Sequence, residues 1–378
     1  MSSINCEDLA EFAKSQDHKP DSYLNGNRQN PFLVGEFYRN SAEHLQEELA
    51  RIGALIRLFL EKTGAEAGEE SQDFGGLFIS EAEVNSIIQA VCCGAAASGG
   101  QGLKSEEIEA WERTISRKKA ESLKRGIELR LHSLSELFSL TPFERDVLLI
   151  GLAPELDGRF AKLYAYLQND LTKKQPSVGM LLELFCASLE EKLEAREYFS
   201  PSAPLLGNRL ISLVGDGADA NPPLLSRSVK LDERIAAFLL NSDGTDPKIA
   251  RFSTLVKPVR SFGDLIVPAE HKNCLLEAVK RRIEEDSRLM FFFYGPSGTG
   301  KKLAAEACCR ELGVNLLLAD AGAFPKGGEG EALSLVLREA LLQQGAVFLD
   351  NFDALWGRSS QGQDADAGLS GSGSSGSG

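Results

Sequence analysis

The sequence predicts a mixed fold: an α-rich amino-terminal part with a winged-helix unit, then a partial α/β domain with a parallel sheet. Three observations carry this prediction. From Leu45 to about Leu193 apolar residues recur at helical spacing. Two short β-like runs follow, Arg209–Val214 and Ser226–Leu231, across a loop rich in Gly, Asp and Pro. Beyond residue 290 the apolar runs Phe291–Tyr294, Val314–Leu318 and Ala346–Leu349 read as strands separated by helical stretches.

With 378 residues the chain has room for two or three domains, each able to bury its own core. A formal charge of −14 argues against general binding of nucleic acid or anionic membrane. The seven cysteines are an odd number without metal-ligand spacing, and two pairs, Cys92-Cys93 and Cys308-Cys309, are adjacent. They are expected to be reduced thiols of a cytoplasmic protein. The amino terminus lacks a secretory pattern, and no apolar run approaches the ~20 residues that a membrane span needs.

Residues 1–40 show no period and read as a flexible arm; residues 41–126 read as a helical region. Leu45, Leu49, Ile52, Ile56 and Phe59 form one helical stripe, ended at Gly64, with Glu43, Glu47, Arg51 and Glu61 on the opposite face. The stripe fits either a subunit seam or packing on its own domain. Glu66 to Gly76 is an acidic linker, and Ser80–Glu83 is a capping box before Val84, Ile87, Ile88 and Val91. Ile108, Trp111 and Ile115 begin a long helix expected to run through to Phe138. Its basic patch, Arg117-Lys118-Lys119, lies among glutamates and reads as a solvated face.

Residues 127–247 read as a winged-helix-like domain. Thr141-Pro142-Phe143-Glu144 supplies an N-cap, a proline at the first helical position and a capping-box glutamate. That helix should stop at Pro154. Phe160–Leu167 and Leu181–Leu193 make two more helices before the hairpin. A DNA reader of this type puts a basic or amide-rich helix into the major groove. The helix in that position here, Met180 to Glu191, is apolar and acidic and would repel phosphate. Nucleic acid is therefore not the expected partner; a protein docking on residues 41–247 is.

Residues 248–358 carry the chemistry. The run Phe291–Tyr294 breaks into Gly295-Pro296-Ser297-Gly298-Thr299-Gly300-Lys301-Lys302, and an amphipathic stretch, Leu303 to Leu312, follows. Strand, glycine-rich loop and helix start in this order make a phosphate cradle. The glycines let successive N–H groups converge on one anion, the helix adds its dipole, and Lys301 adds a cation. Asp350, at the carboxyl end of an apolar strand, should lie beside that loop and handle a metal.

These landmarks resemble the AAA+ ATPases. Gly295–Lys302 looks like their Walker A and Val347–Asn351 like their Walker B. Phe262–Pro268 looks like the segment that passes the adenine, with Ile266 and Val267 near the base. The resemblance covers about residues 255–357 and implies ATP or ADP and Mg2+ as ligands, and a homo-oligomer when the domain is complete. Leu77–Ser80 and the helical unit before the ATPase part resemble the AAA-family ATPases with an amino-terminal winged helix. Some of these accompany contractile injection systems as assembly or remodelling factors.

Two departures set the functional expectation. The family's hydroxyl after the Walker A lysine is Lys302 here, and its Walker B glutamate is Asn351, which can orient a water but cannot take its proton. Residues 359–378 are Ser, Gly, Gln and Asp-rich, of flexible-linker composition, so the chain is expected to be truncated after Walker B. The reading is an ATP-binding module of a remodelling or assembly machine with impaired hydrolysis. Its rivals are an ATPase completed by other segments, an interaction scaffold, and more distantly a DNA-dependent regulator.

Overall fold

A computed structural model describes residues 35–66, 105–215, 222–285 and 290–355. The expectations for the acidic linker beyond Glu66, for the capping box and helical run over residues 80–91 and for the tail after Leu355 lie outside these residues, as does most of the expected arm. The arm's last residues are described, and they are not loose. Tyr38 is buried, and its backbone N–H donates to Ser122 Oγ at 2.8 Å.

Helix α1 (Ser41–Glu66) carries the predicted stripe into the core but runs two residues past Gly64. The middle of its expected solvent face, Glu47 and Arg51, is also covered, by α2 (Ser105–Lys124) and α4 (Pro142–Leu156), while Glu61 is exposed as expected. Glu47 accepts from Trp111 Nε1 at 3.0 Å and from Lys118 Nζ at 2.9 Å. Arg51 reaches Glu48 at 2.8 Å, Glu112 at 3.2 Å and also Asp146. The middle of the basic patch, Lys118, is therefore buried rather than solvated. Burial would raise the Glu48 carboxyl, but His44, Arg51 and Arg145 outweigh it and hold it below the usual carboxylate range.

The long helix expected to reach Phe138 is broken. Gly126, at a φ of 74°, turns the chain. The N–H of Ile127 bonds back to Ser122 O and that of Gly126 to Leu123 O, closing α2 before α3 (Arg130–Phe138) begins. Helix α4 has the predicted capping box, Thr141 with Glu144, but Pro154 lies inside it and does not stop it. The proline leaves the Ile150 carbonyl without its helical donor. The hydroxyl of Tyr164, on α5 (Arg159–Leu167), donates to that carbonyl at 2.8 Å.

The expected helix over 181–193 is two helices, α6 (Val178–Phe185) and α7 (Leu189–Ala195). Ser188 starts the second by accepting from Glu191 N–H at 3.1 Å, and Glu191 accepts from Ala187 N–H at 2.7 Å. A short helix α8 (Pro204–Gly207) leads to strands β1 (Ile211–Val214) and β2 (Ser228–Leu231), an antiparallel hairpin with Ile211 opposite Leu231. The hairpin is tied to the start of α6 by the Ser177–Ser228 bridge. Gly151 of α4 lets the hairpin approach, since a Cβ there would stand 3.3 Å from Leu231 Cβ. Three helices backed by this hairpin make the winged helix, and α9 (Glu233–Leu239) closes its core.

The second part has a three-stranded sheet. Strand β3 (Ser253–Val256) runs antiparallel to β4 (Leu316–Asp320), which runs parallel to β5 (Ala346–Asp350), in the order β3-β4-β5. Helix α10 (Ala269–Glu285) follows β3 in the chain. Leu317 and Ala319 face helix α12 (Glu329–Leu342), while Leu316 and Leu318 face helix α11 (Lys301–Leu312). The expected strand at Phe291–Tyr294 belongs to neither sheet. Its residues still alternate, with Phe291 and Phe293 half-buried and Phe292 and Tyr294 exposed. Strand β5, expected to be buried, is half-buried along its length because it forms an edge of this sheet.

Helix α12 has a second buried side. Arg234 of α9 grips Glu339 with bonds of 2.8 and 3.0 Å, and Arg338 reaches Asp246 at 2.6 Å and Asp232 at 3.1 Å. Leu342 lies in the winged-helix core itself. The two parts thus share one helix.

Candidate nucleotide site

The glycine-rich loop precedes helix α11, whose N-cap is Gly300. Gly295, Gly298 and Gly300 have φ values of 140°, 84° and 85°. A Cβ on Gly298 or Gly300 would meet nothing within 4 Å, so it is the backbone turn and not packing that needs glycine there. Pro296 and Ser297 are exposed at the loop's crown, and Thr299 Oγ1 donates to the Pro296 carbonyl at 2.9 Å. Lys301 Nζ folds back into the loop, donating to the carbonyls of Gly295 at 2.9 Å and Pro296 at 2.8 Å. A phosphate entering the loop competes with those two carbonyls for the ammonium.

Parallel pairing brings the acids to this edge, because Asp320 and Asp350 end β4 and β5 in register. Lys302 Nζ lies 2.7 Å from Asp350 Oδ2, with the two side chains 59% and 29% exposed. Residue 302 therefore joins the loop's helix to the strand end where the metal acid was expected. Asn351, at a φ of 52°, donates its amide to Asp320 Oδ1 at 2.8 Å, and that oxygen also accepts from Gly322 N–H at 2.9 Å.

Of the two residues expected beside a base, Val267 packs in an apolar cluster with Phe293, Leu303 and Ala304, and Ile266 is fully exposed. Sequence reasoning assigned no role to Asp320 or to Glu306, which accepts from the N–H groups of Val259 at 3.0 Å and Arg260 at 3.1 Å. That second contact ties the segment before Ile266 to α11. An acid at a strand end was a usable signal for Asp320; Glu306 looked like any other helix glutamate. On the inward side of α11, burial pushes the thiols of Cys308 and Cys309 up to about 11.

Magnesium fits these residues poorly. No hydroxyl follows Lys301, Asp350 is held by an ammonium, and Asp320 is already accepting two hydrogen bonds. Among the described residues no group of three His, Cys, Asp or Glu could hold a metal ion. No described helix is long and apolar enough to cross a membrane.

The family described as winged helix domain, variant, matches residues 28–253, more than half of the chain. The family described as ATPase family associated with various cellular activities (AAA) matches residues 291–370, which include the loop, Lys302 and Asp350. No curated protein and no solved structure matches. The amino-terminal match spans the helices and hairpin just described, and the carboxyl-terminal one starts at the strand-like run before the loop. The chain belongs to the variant winged-helix family, and the segment after it is similar to the AAA ATPases over residues 291–370.

Proposed function

We propose that this protein binds ATP and ADP through residues Gly295–Lys302 and uses the bound state to set the conformation or assembly of an oligomeric remodelling machine. The observation that carries this reading is the loop itself. Three glycines in left-handed or open conformations lead straight into α11, with the Lys301 ammonium at the loop's centre. Lys301 neutralises phosphate, the loop N–H groups hold it, and Val267 and Ile266 mark the side on which the base would lie.

Hydrolysis is impaired in this proposal. Asn351 cannot accept a proton from water, and its amide is directed to Asp320. Residues 41–247 offer the surface for a protein partner, and α6 is too apolar and acidic to enter a groove of DNA. The narrower role, an assembly factor for a contractile injection system in the cytoplasm, rests on resemblance alone.

Calorimetric titration with ATP tests the reading. Lys301→Ala should weaken binding at least about tenfold, or ~1.4 kcal/mol. Equal affinity in parent and variant would sink it. A competent ATPase completed by other subunits would instead show turnover that rises with protein concentration. A scaffold without nucleotide would show no heat of binding yet keep its protein partner.

A further inference from the structure

We infer that the site takes the phosphates of a nucleoside di- or triphosphate without a divalent cation, with the Lys302 ammonium standing where the metal would be. This rests on the nucleotide reading above and adds to it a mode of recognition. Lys302 is in the first turn of α11, directly after the phosphate lysine, and its Nζ lies 2.7 Å from Asp350 Oδ2. In that place it joins the two elements that a bound metal would otherwise join, the loop's helix and the end of β5.

An ammonium has three donors, and Asp350 takes one. The head of Lys302 is largely exposed, so its other donors are open to phosphate oxygens. Lys301 and Lys302 together then supply two positive charges beside the loop, one folded into it and one above the strand edge. A divalent cation approaching Asp350 would have to displace that ammonium or lie against it. Like charges a few ångströms apart repel strongly wherever solvent is partly excluded. The other strand-end acid, Asp320, is partly committed, since its Oδ1 accepts from both Gly322 and Asn351.

The pairing also assigns Asp350 a different task from the one its position suggests. It orients Lys302, holding the ammonium over the edge of the sheet so that a long, rotamer-rich side chain arrives pre-positioned. Affinity then depends on residue 302 and little on magnesium.

The experiment titrates ATP and ADP into the full chain, once with EDTA and once with excess magnesium, for the parent, Lys302→Thr and Lys301→Ala. The parent's affinity should agree within about threefold between the two conditions. Lys302→Thr should lose about tenfold in EDTA and recover with magnesium, because a hydroxyl and a freed Asp350 then meet the metal. Circular dichroism should show the fold unchanged, since Lys302 is exposed. Binding by the parent only with magnesium overturns this inference and leaves the nucleotide reading standing, as does a Lys302→Thr variant unchanged in EDTA. Binding in neither condition overturns both.

Discussion

Ion pairs of nearly equal length occur at two places in the carboxyl-terminal part, and they differ in burial and in the cation, arginine in one place and lysine in the other. Arg234–Glu339 at 2.8 Å and Arg338–Asp246 at 2.6 Å lie where helix α12 meets the winged helix, with every partner's side chain at most 3% exposed. Lys302–Asp350 at 2.7 Å lies at the loop, where water reaches both groups. At the first place, removing Glu339 strands the desolvated Arg234 and removing Arg338 strands Asp246; at the second, water replaces the lost partner. The same chemistry therefore makes a fixed joint in one place and an exchangeable contact in the other. An exchangeable pair suits a site whose ammonium must greet an incoming phosphate.

The sharpest way to break this contrast is Glu339→Ala. It leaves Arg234 buried without its carboxylate and should cost about 3–5 kcal/mol in urea denaturation. A loss below about 1 kcal/mol would place the joint in the exchangeable class. Tyr164→Phe asks whether burial matters without charge. It removes the hydroxyl that donates to the Ile150 carbonyl, and a loss of about 1–3 kcal/mol is expected.

Acid should separate the two regions as well. Burial would raise the Asp232 carboxyl, but Arg338 and Lys248 outweigh it and hold it below its ordinary value. A depressed folded value means stability that is full above the unfolded carboxylate range and is lost as pH falls through the folded one. The urea midpoint should therefore drop with acidification in that range, and Asp232→Asn should flatten the slope. The smallest effect belongs to the loop, where Lys302→Ala should change stability by less than about 1 kcal/mol. A larger loss would show that the pair holds the fold.

Much of the site could be read in advance because its signals are local. Glycines that need unusual φ values, a lysine at a helix start and an apolar run ending in an acid are all written in consecutive residues. What Lys302 does was not, since its partner lies 48 residues away and only parallel pairing of β4 and β5 fixes where Asp350 ends. Strand β3 was missed because four residues are too short to show a period.

The helical part failed in a different way. Its apolar stripe was legible, but amphipathic reasoning sends charge to solvent, whereas Glu47 and Lys118 are buried against each other and Arg51 against Glu48 and Asp146. The breaks at Gly126 and Ser188 had local signals, a glycine and a Ser-x-x-Glu cap, that continuous apolar spacing on either side obscured. Pro154 was read as a stop because the donor that replaces its missing N–H at the Ile150 carbonyl comes from another helix.

The shared helix also bears on how the protein is made. Leu342, Arg338 and Glu339 complete a core and a charge set whose other members all precede residue 247. During synthesis the winged helix emerges first, with Arg234 unpaired and a hole where Leu342 belongs. It waits for about a hundred further residues, several seconds of elongation at ordinary rates, before it can close. The nucleotide-binding part is thus the last piece of its neighbour's interior, and the two halves reach their final stability together.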